Sequence, residues 1–302
     1  MKLNDIESYK LKHNLELYFD FDIKKLNWFN IGGKSKIFFK PKNLKELKDF
    51  LTLYSNRGKI FVLGMGSNVL FRDSIYDGVV IKLGNNFSSL SKLKNDTIIV
   101  GSSCSQKKFS NFAMENEISG FEFMSCIPGS IGGGLKMNSG CFGNEFKDNL
   151  ISLQCMNLDG TLKVIPSQKI TFNYRNIELD EDLIFLSATF KGNKSNKNKI
   201  KSLMKELEIK KNNNQPSRIK TGGSTFKNPI DQTSKKAWEL IRASVQNNIN
   251  FGDASISEKH SNFFVNKNNA TFDEMFSLIN YVKKKVKEKT GININLEIKI
   301  VE

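Results

Sequence analysis

The chain has 302 residues, 39% hydrophobic and 25% charged, which suits an ordinary soluble globular protein of two domains with sizeable cores. A formal net charge of +15 invites a nucleic-acid partner, yet only five of the 46 basic residues are arginine and the lysines are spread along the chain; the reading is a solvated lysine-biased surface, no nucleic-acid partner, and a field that draws in an anionic substrate. Met1-Lys2-Leu3-Asn4-Asp5-Ile6-Glu7 lacks an apolar core and no apolar run approaches the ~18 residues of a membrane helix, so the expectation is a cytoplasmic protein with no membrane partner.

Behind a polar N-terminal segment, Trp28-Phe29-Asn30-Ile31-Gly32-Gly33 leads into a predicted strand over 36–39 that Pro41 ends. Asn43 and Glu46 mark a helix start, and Leu44, Leu47, Phe50, Leu51 and Tyr54 form one face of the helix that follows. Strands are predicted over 59–63, 78–83 and 97–101, then a helix over 105–116 with Gly120 beyond its end. Further strands fall over 150–157 and 161–165, turned by Asp159-Gly160. The Lys-, Asn- and Ser-dense segment 191–214, with a helical stretch over 200–209, reads as a domain junction, and another helix runs over 237–243. The last helix opens at Thr271, with Glu274 completing a capping box. It buries Phe272, Met275, Phe276, Ile279, Val282 and Val286, and ends at Gly291. Over 292–300 apolar residues alternate, which predicts one continuous strand with Glu297 and Lys299 on the face away from the core. Short strands among scattered helices, without an internal repeat, point to an α+β fold.

Two glycine-rich segments carry the most chemical information. One is Gly64-Met65-Gly66-Ser67-Asn68, directly after an apolar run; the other is Pro128-Gly129-Ser130-Ile131-Gly132-Gly133-Gly134, running on to Asn138-Ser139-Gly140. Glycine lets backbone N–H groups approach an anion with no Cβ in the way. Either segment alone reads more readily as a tight turn; together, with Ser and Asn attached, they read as a cradle for one elongated phosphate-bearing cofactor. Cys104, Cys126, Cys141 and Cys155 have no CxxC spacing and only two histidines accompany them, so reduced, mostly buried thiols are expected, with no metal site. Cys141 stands apart because it follows the second glycine segment. Ser224, after two glycines, reads equally as a turn residue or a catalytic hydroxyl. Arg175 reads as a surface ion pair or an anion clamp, and Glu297 with Lys299 as a solvated pair unless their face lines a cleft. Glu258, His260 and Asn262 alternate as on a strand and would share one face; a lone histidine there is more often structural than catalytic.

In order along nearly the whole chain, these motifs resemble the UDP-N-acetylenolpyruvoylglucosamine reductase (MurB) family of flavoenzymes. The resemblance rests on Phe29-Asn30-Ile31-Gly32-Gly33, Gly64-Met65-Gly66-Ser67-Asn68-Val69-Leu70, Gly120-Phe121-Glu122-Phe123, and Ile127-Pro128-Gly129-Ser130-Ile131-Gly132-Gly133. It continues through Asn138-Ser139-Gly140, Tyr174-Arg175, Gly223-Ser224-Thr225-Phe226-Lys227-Asn228-Pro229, Ser257-Glu258-Lys259-His260-Ser261-Asn262-Phe263 and Leu296-Glu297-Ile298-Lys299-Ile300. It implies an FAD-binding domain of the vanillyl-alcohol-oxidase type over 1–194 and a smaller α+β substrate domain over 195–302, whose last strand returns Glu297 to the active site. The short interval from Arg175 to Ser224 is similar to the subclass that lacks an inserted tyrosine loop.

By the same resemblance, FAD would be held by Gly64, Gly66, Ser67, Asn68, Pro128, Gly129, Ser130, Gly132, Gly133, Asn138 and Gly140, and NADPH would be the hydride donor. The implied substrate is a UDP-sugar carrying an enolpyruvyl group, contacted by Tyr174, Lys227, Asn228, His260 and Lys299, in a monomer. Arg175 would bind and polarise its carboxylate, Ser224 would supply the proton and Glu297 would assist in stabilising the enolate. The chain departs from the family pattern at Lys299, where arginine is usual, at Leu296, where proline is common, and at Trp28, Asn30 and Cys141. An FAD-linked oxidase of the same fold and a basic nucleic-acid-binding protein without catalysis are the rival readings.

Overall fold

The computed structural model describes residues 4–55, 57–179, 182–246 and 248–302, so the first three residues of the polar N-terminal segment lie outside it. Two compact units emerge. One is built from the chain up to Phe19, Ile37–Met65 and Asp77–Lys210; the other from Asp20–Lys36, Gly66–Tyr76 and Lys211–Glu302.

The first unit begins with helix α1 (Asn4–His13), which buries Ile6. A four-stranded sheet follows, in the order Leu17–Asp22, Lys34–Phe39, Tyr76–Ile81, Lys59–Val62. Helix α2 (Leu44–Tyr54) starts where the sequence places it: the Asn43 side chain accepts the Glu46 N–H at 2.9 Å. Its face Leu47, Phe50, Leu51 and Tyr54 packs with Ile37, Phe39, Val79 and Ile81. Leu44, in the first turn, is instead 41% exposed.

A five-stranded antiparallel sheet holds the second core of this unit, in the order Leu162–Pro166, Leu150–Asn157, Leu183–Lys191, Thr97–Gly101, Leu90–Lys92. Helices α3 (Gln106–Glu115) and α4 (Ile131–Lys136) share its core. Phe109, Phe121, Phe146 and Phe190 meet there in edge and tilted contacts, Phe109 and Phe121 with ring centroids 4.8 Å apart. Each such ring, fully buried, contributes roughly 1.5–3 kcal/mol. Helix α5 (Lys197–Asn214) carries the chain out of this unit.

The second unit packs helix α6 (Ala237–Ser244) and helix α7 (Phe272–Thr290) with a three-stranded sheet of Asn250–Phe251, Ala254–Ile256 and Phe264–Asn266. The α7 capping box forms as its sequence requires, with the Glu274 N–H on Thr271 Oγ1 and the Thr271 N–H on the Glu274 carboxylate. Gly291 ends the helix at φ 74°, a conformation open to glycine at little cost. No helix among the described residues is long and apolar enough to cross a membrane.

Two expectations change. The strand predicted over 292–300 is not continuous. Leu296 makes an isolated bridge to Phe226, and only Lys299–Val301 is a strand, paired in parallel with Val69–Phe71. Burial falls on Ile294, Ile298 and Val301 rather than on every second residue. The cause is a bulge: the N–H groups of both Glu297 and Ile298 point at the one Thr225 carbonyl, at 2.8 and 3.5 Å, so the alternation skips a place. Likewise, Glu258, His260 and Asn262 do not line one face of a strand. They occupy the loop between Ala254–Ile256 and Phe264–Asn266, where Glu258 is exposed and Asn262 buried.

Candidate functional site

In the first glycine segment the carbonyls are turned into the fold. Gly64 O accepts from Lys82 Nζ at 2.7 Å, and Gly66 O and Asn68 O accept the Trp28 and Lys299 N–H groups, each at 2.9 Å. A trans peptide points its N–H opposite to its C=O, so the Met65 and Ser67 N–H groups are directed the other way. A Cβ on Gly64 would stand 2.7 Å from Ser130 Oγ, and one on Gly66, at φ +71°, would stand 2.2 Å from Leu26 O. Both glycines are needed for this close seating. Lys82 escaped the sequence reading. Its ammonium is half-buried, and burial together with Lys40 lowers its pKa from 10.5.

The second glycine segment behaves differently. Its N–H groups are spent inside the fold: Ile131 on Cys104 O and Gly132 on Ser102 O, each at 2.8 Å, and Gly133 on Ser130 Oγ at 3.2 Å. The helix α4 that these bonds pin was not legible as a helix among so many glycines. Gly132 and Gly133 therefore do not donate N–H groups to an anion, as the sequence reading expects. What they offer is close approach. A Cβ on exposed Gly133 would meet only Ser130 Oγ, at 3.3 Å, and beside Gly132 the buried Ser102 hydroxyl has no protein partner. An uncovered glycine surface next to an unpartnered hydroxyl fits a bound cofactor.

Also in the first unit, Tyr174 and Arg175 turn the hairpin between Thr171–Asn173 and Asn176–Glu178. Arg175 adopts φ +56°, an uncommon conformation for a residue with a Cβ. Its guanidinium lies over the Tyr174 ring at 5.0 Å, and Nη2 donates to Gly140 O at 2.7 Å. Asn138, expected to face the cofactor, has a fully buried side chain whose polar atoms are engaged by the protein itself. Cys141 Sγ is half-buried, 3.4 Å from Phe123 O. Cys104, Cys126 and Cys155 are buried, and burial raises the Cys104 and Cys155 thiols.

The second unit gathers Ser224, Glu297, Lys299, Lys227 and Asn68 around one irregular backbone. Gly223, at φ +77°, turns the chain where a Cβ would meet nothing within 4 Å. Ser224 then bridges Phe263. The Thr225 N–H donates to Asn262 O, and Thr225 O accepts from Glu297, each at 2.8 Å. Asn262 clamps Phe226 from both sides, its Oδ1 accepting the Phe226 N–H at 2.9 Å and its Nδ2 donating to Phe226 O at 2.8 Å. Asn68 Nδ2 donates to Glu297 O at 2.9 Å, and the Lys227 N–H to Asn295 O at 2.8 Å. Thr225 is thus a common anchor that fixes Ser224 on its own segment and Glu297 on the facing one. Asn228 Oδ1 accepts the Ala237 N–H at 2.9 Å and so holds the start of α6.

His260 lies between Trp238 and Phe263, with ring centroids at 6.2 and 4.7 Å. Its Nδ1 accepts the Asn262 N–H at 3.2 Å, which leaves the proton of the neutral ring on Nε2. Burial lowers its pKa from 6.5.

Comparison with known proteins finds matches in both units. Residues 35–165 match the FAD binding domain family, and residues 215–301 match the C-terminal domain of UDP-N-acetylenolpyruvoylglucosamine reductase. The UDP-N-acetylenolpyruvoylglucosamine reductase of Pelagibacter ubique (strain HTCC1062) is 55% identical over 302 residues, covering 100% of each chain. That of Rickettsia bellii (strain RML369-C) is 43% identical over 280 residues, 93% of this chain and 92% of the relative. The crystal structure of the UDP-N-acetylenolpyruvylglucosamine reductase (MurB) from Thermus caldophilus aligns with a TM-score of 0.80 at 28% identity, over 95% of this chain and 99% of that one.

Proposed function

The chain belongs to the UDP-N-acetylenolpyruvoylglucosamine reductase family, and we propose that Arg175, Ser224 and Glu297 carry its chemistry. It is an FAD-containing, NADPH-dependent oxidoreductase that converts UDP-N-acetylglucosamine enolpyruvate to UDP-N-acetylmuramate, a precursor of peptidoglycan. The observation that carries this reading is identity of 55% across the whole length of both chains.

The chemistry that bound FAD supplies is relay of a hydride from NADPH to the enolpyruvyl methylene carbon. The Gly64 and Gly66 segment, with Ser67, Asn68, Pro128, Gly129 and Ser130, would hold it, and Gly132, Gly133 and Gly140 would admit it closely. Negative charge then builds on the neighbouring carbon and its carboxylate. Arg175 binds and polarises that carboxylate, a task suited to a planar guanidinium. Ser224 delivers the proton to the same carbon. A hydroxyl is a poor acid in water, so the backbone bonds around Thr225 that fix Ser224 supply much of the effect through orientation. Glu297, held by the same carbonyl, assists in stabilising the enolate. Tyr174, Lys227, Asn228, His260 and Lys299 contact the UDP-sugar. The enzyme works as a cytoplasmic monomer without nucleic acid.

The test is an anaerobic visible spectrum of the purified protein, before and after NADPH and then after the enolpyruvyl substrate. Yellow colour that bleaches with NADPH and returns with substrate is the expected result. Bleaching without return would remove this substrate, and failure to take up FAD at all would remove the role of the glycine segments.

A further inference from the structure

We propose that Asn138 is a positioning residue for Arg175, tying the turn that carries Arg175 to the segment whose carbonyl holds the Arg175 guanidinium. The inference rests on the role given above to Arg175.

Arg175 has a long, flexible stem on a turn of only two residues, with φ +56° at its own position. A guanidinium on such a stem is useful to a developing carboxylate charge only if its plane is fixed beforehand. Two contacts in this unit fix it from opposite ends. At the tip, Nη2 donates to Gly140 O at 2.7 Å. At the base, Asn138 Nδ2 donates to Asn173 O at 3.3 Å, the residue that enters the turn.

Asn138 is only two residues from Gly140, so both contacts come from one short segment. That segment is anchored in turn. The Asn138 N–H donates to Leu135 O at 2.9 Å, in the last turn of α4. The second Nδ2 hydrogen reaches Glu145 Oε2 at 3.0 Å, and Oδ1 accepts the Lys147 N–H at 3.1 Å. One residue therefore joins the end of α4, through its backbone N–H, to the 145–147 segment and the Arg175 turn, through its carboxamide. The side chain is 0% exposed, and both its donors and its acceptor are engaged. Its backbone, at φ 42°, is in the left-handed region that asparagine tolerates better than most residues. These features leave the side chain no atom to offer a cofactor and make the Arg175 turn the part of the site it serves.

Asn138→Asp and Asn138→Ala test this. Aspartate keeps the size, the left-handed tolerance and an acceptor for the Lys147 N–H, but sets a second carboxylate oxygen against Glu145 Oε2 and Asn173 O. Rapid mixing of the FAD-loaded enzyme would read flavin reduction by NADPH and reoxidation by the enolpyruvyl substrate separately, beside FAD Kd and Tm. Expected for Asn138→Asp is reoxidation slowed by about tenfold or more, with NADPH reduction and FAD Kd within about twofold of the parent. In Arg175→Ala, adding Asn138→Asp should slow reoxidation no further, because the two changes remove one interaction.

Additive losses in the double variant would overturn the proposal, as would equal losses in both half-reactions. A weakened FAD Kd with reoxidation intact at saturating FAD would make Asn138 a cofactor contact. If Arg175→Ala alone reoxidises at the parent rate, the role of Arg175 falls, and the inference falls with it for that separate reason. Should Asn138→Ala fail to fold, Asn138→Asp carries every one of these readings.

Discussion

Residues of the same kind do different work here according to what surrounds them. Ser130 and Ser224 both follow glycine, yet Ser130 Oγ caps α4 by accepting the Gly133 N–H, while Ser224 is held by its backbone and its hydroxyl is the proposed proton donor. Ser224→Ala should leave flavin reduction by NADPH intact and slow reoxidation by the enolpyruvyl substrate by about 10²–10⁴-fold, the usual worth of a positioned acid. Normal turnover would remove Ser224 as the proton donor. His260 yields a pH prediction. Its folded pKa is lowered from 6.5 by burial, so the unfolded chain binds more protons just below that value and stability rises with pH through this window. His260 therefore costs stability as pH falls below 6.5, where the histidine of the unfolded chain protonates and the buried ring resists. Thermal unfolding of His260→Gln from pH 7.5 to 5.5 should show a shallower loss of Tm than the parent chain. Parallel curves would mean that the ring charges freely in the folded protein. None of this was legible in the residue itself: histidine in a strand-like alternation gave no sign that its Nδ1 closes a loop.

Elements were legible where local chemistry decides them and obscure where a neighbour does. Asn43 with Glu46 and Thr271 with Glu274 cap the helices that their spacing predicts, and Ser105 caps the helix predicted to begin there, because a cap is satisfied within one turn of chain. The Leu17–Asp22 strand falls in a segment that reads as polar although Leu17, Phe19 and Phe21 alternate; of its residues only Leu17 is buried, so the signal is weak. Helix α4 was hidden by its glycines, whose N–H groups are fixed by Ser102 and Ser130, with that of Ile131 on Cys104, rather than by propensity. The bulge at Glu297 depends on Thr225, more than seventy residues earlier, and no local pattern could announce it. Asn262 is the residue on which this irregular element turns, since it satisfies both polar groups of buried Phe226. Asn262→Ala should destabilise the protein by about 2–4 kcal/mol, because two buried backbone groups lose their partners. Asn262→Asp keeps the acceptor for the Phe226 N–H but sets a buried carboxylate oxygen against Phe226 O, and should cost at least as much. Urea unfolding decides this; equal midpoints for the three proteins would show that the loop holds Phe226 without Asn262.

At the scale of the whole molecule, the chain returns repeatedly to finish what it began. The α+β class and the order of motifs follow from sequence, since each depends on stretches of a few residues. The composition of the units does not, because Asp20–Lys36 and Gly66–Tyr76 belong with Lys211–Glu302. The core of that second unit contains Phe29, Ile31 and Leu70 alongside the apolar faces of α6 and α7. Asn266 reaches back too, its Nδ2 donating to Phe29 O at 2.9 Å. Val69–Phe71 supplies the parallel partner of Lys299–Val301, and without it the last strand would present an unpaired edge. A fragment of residues 211–302 therefore lacks three buried side chains of its core, one aromatic and two aliphatic, and one strand of a sheet. Losing three large apolar side chains at roughly 1.5–3 kcal/mol each approaches the whole stability of a small domain. The fragment should show no cooperative urea transition and little protection of its amides from hydrogen exchange. A sharp transition with a slope appropriate to its length would demonstrate that the returning segments are ornaments on a self-sufficient core. The expected failure has a functional reading as well. Asn68, which fixes the Glu297 carbonyl, and Val69–Phe71, which pairs the last strand, come from the same returning segment. The first glycine segment runs directly into it, so the residues proposed to seat a phosphate-bearing cofactor and those that place Glu297 are set by one continuous stretch of backbone.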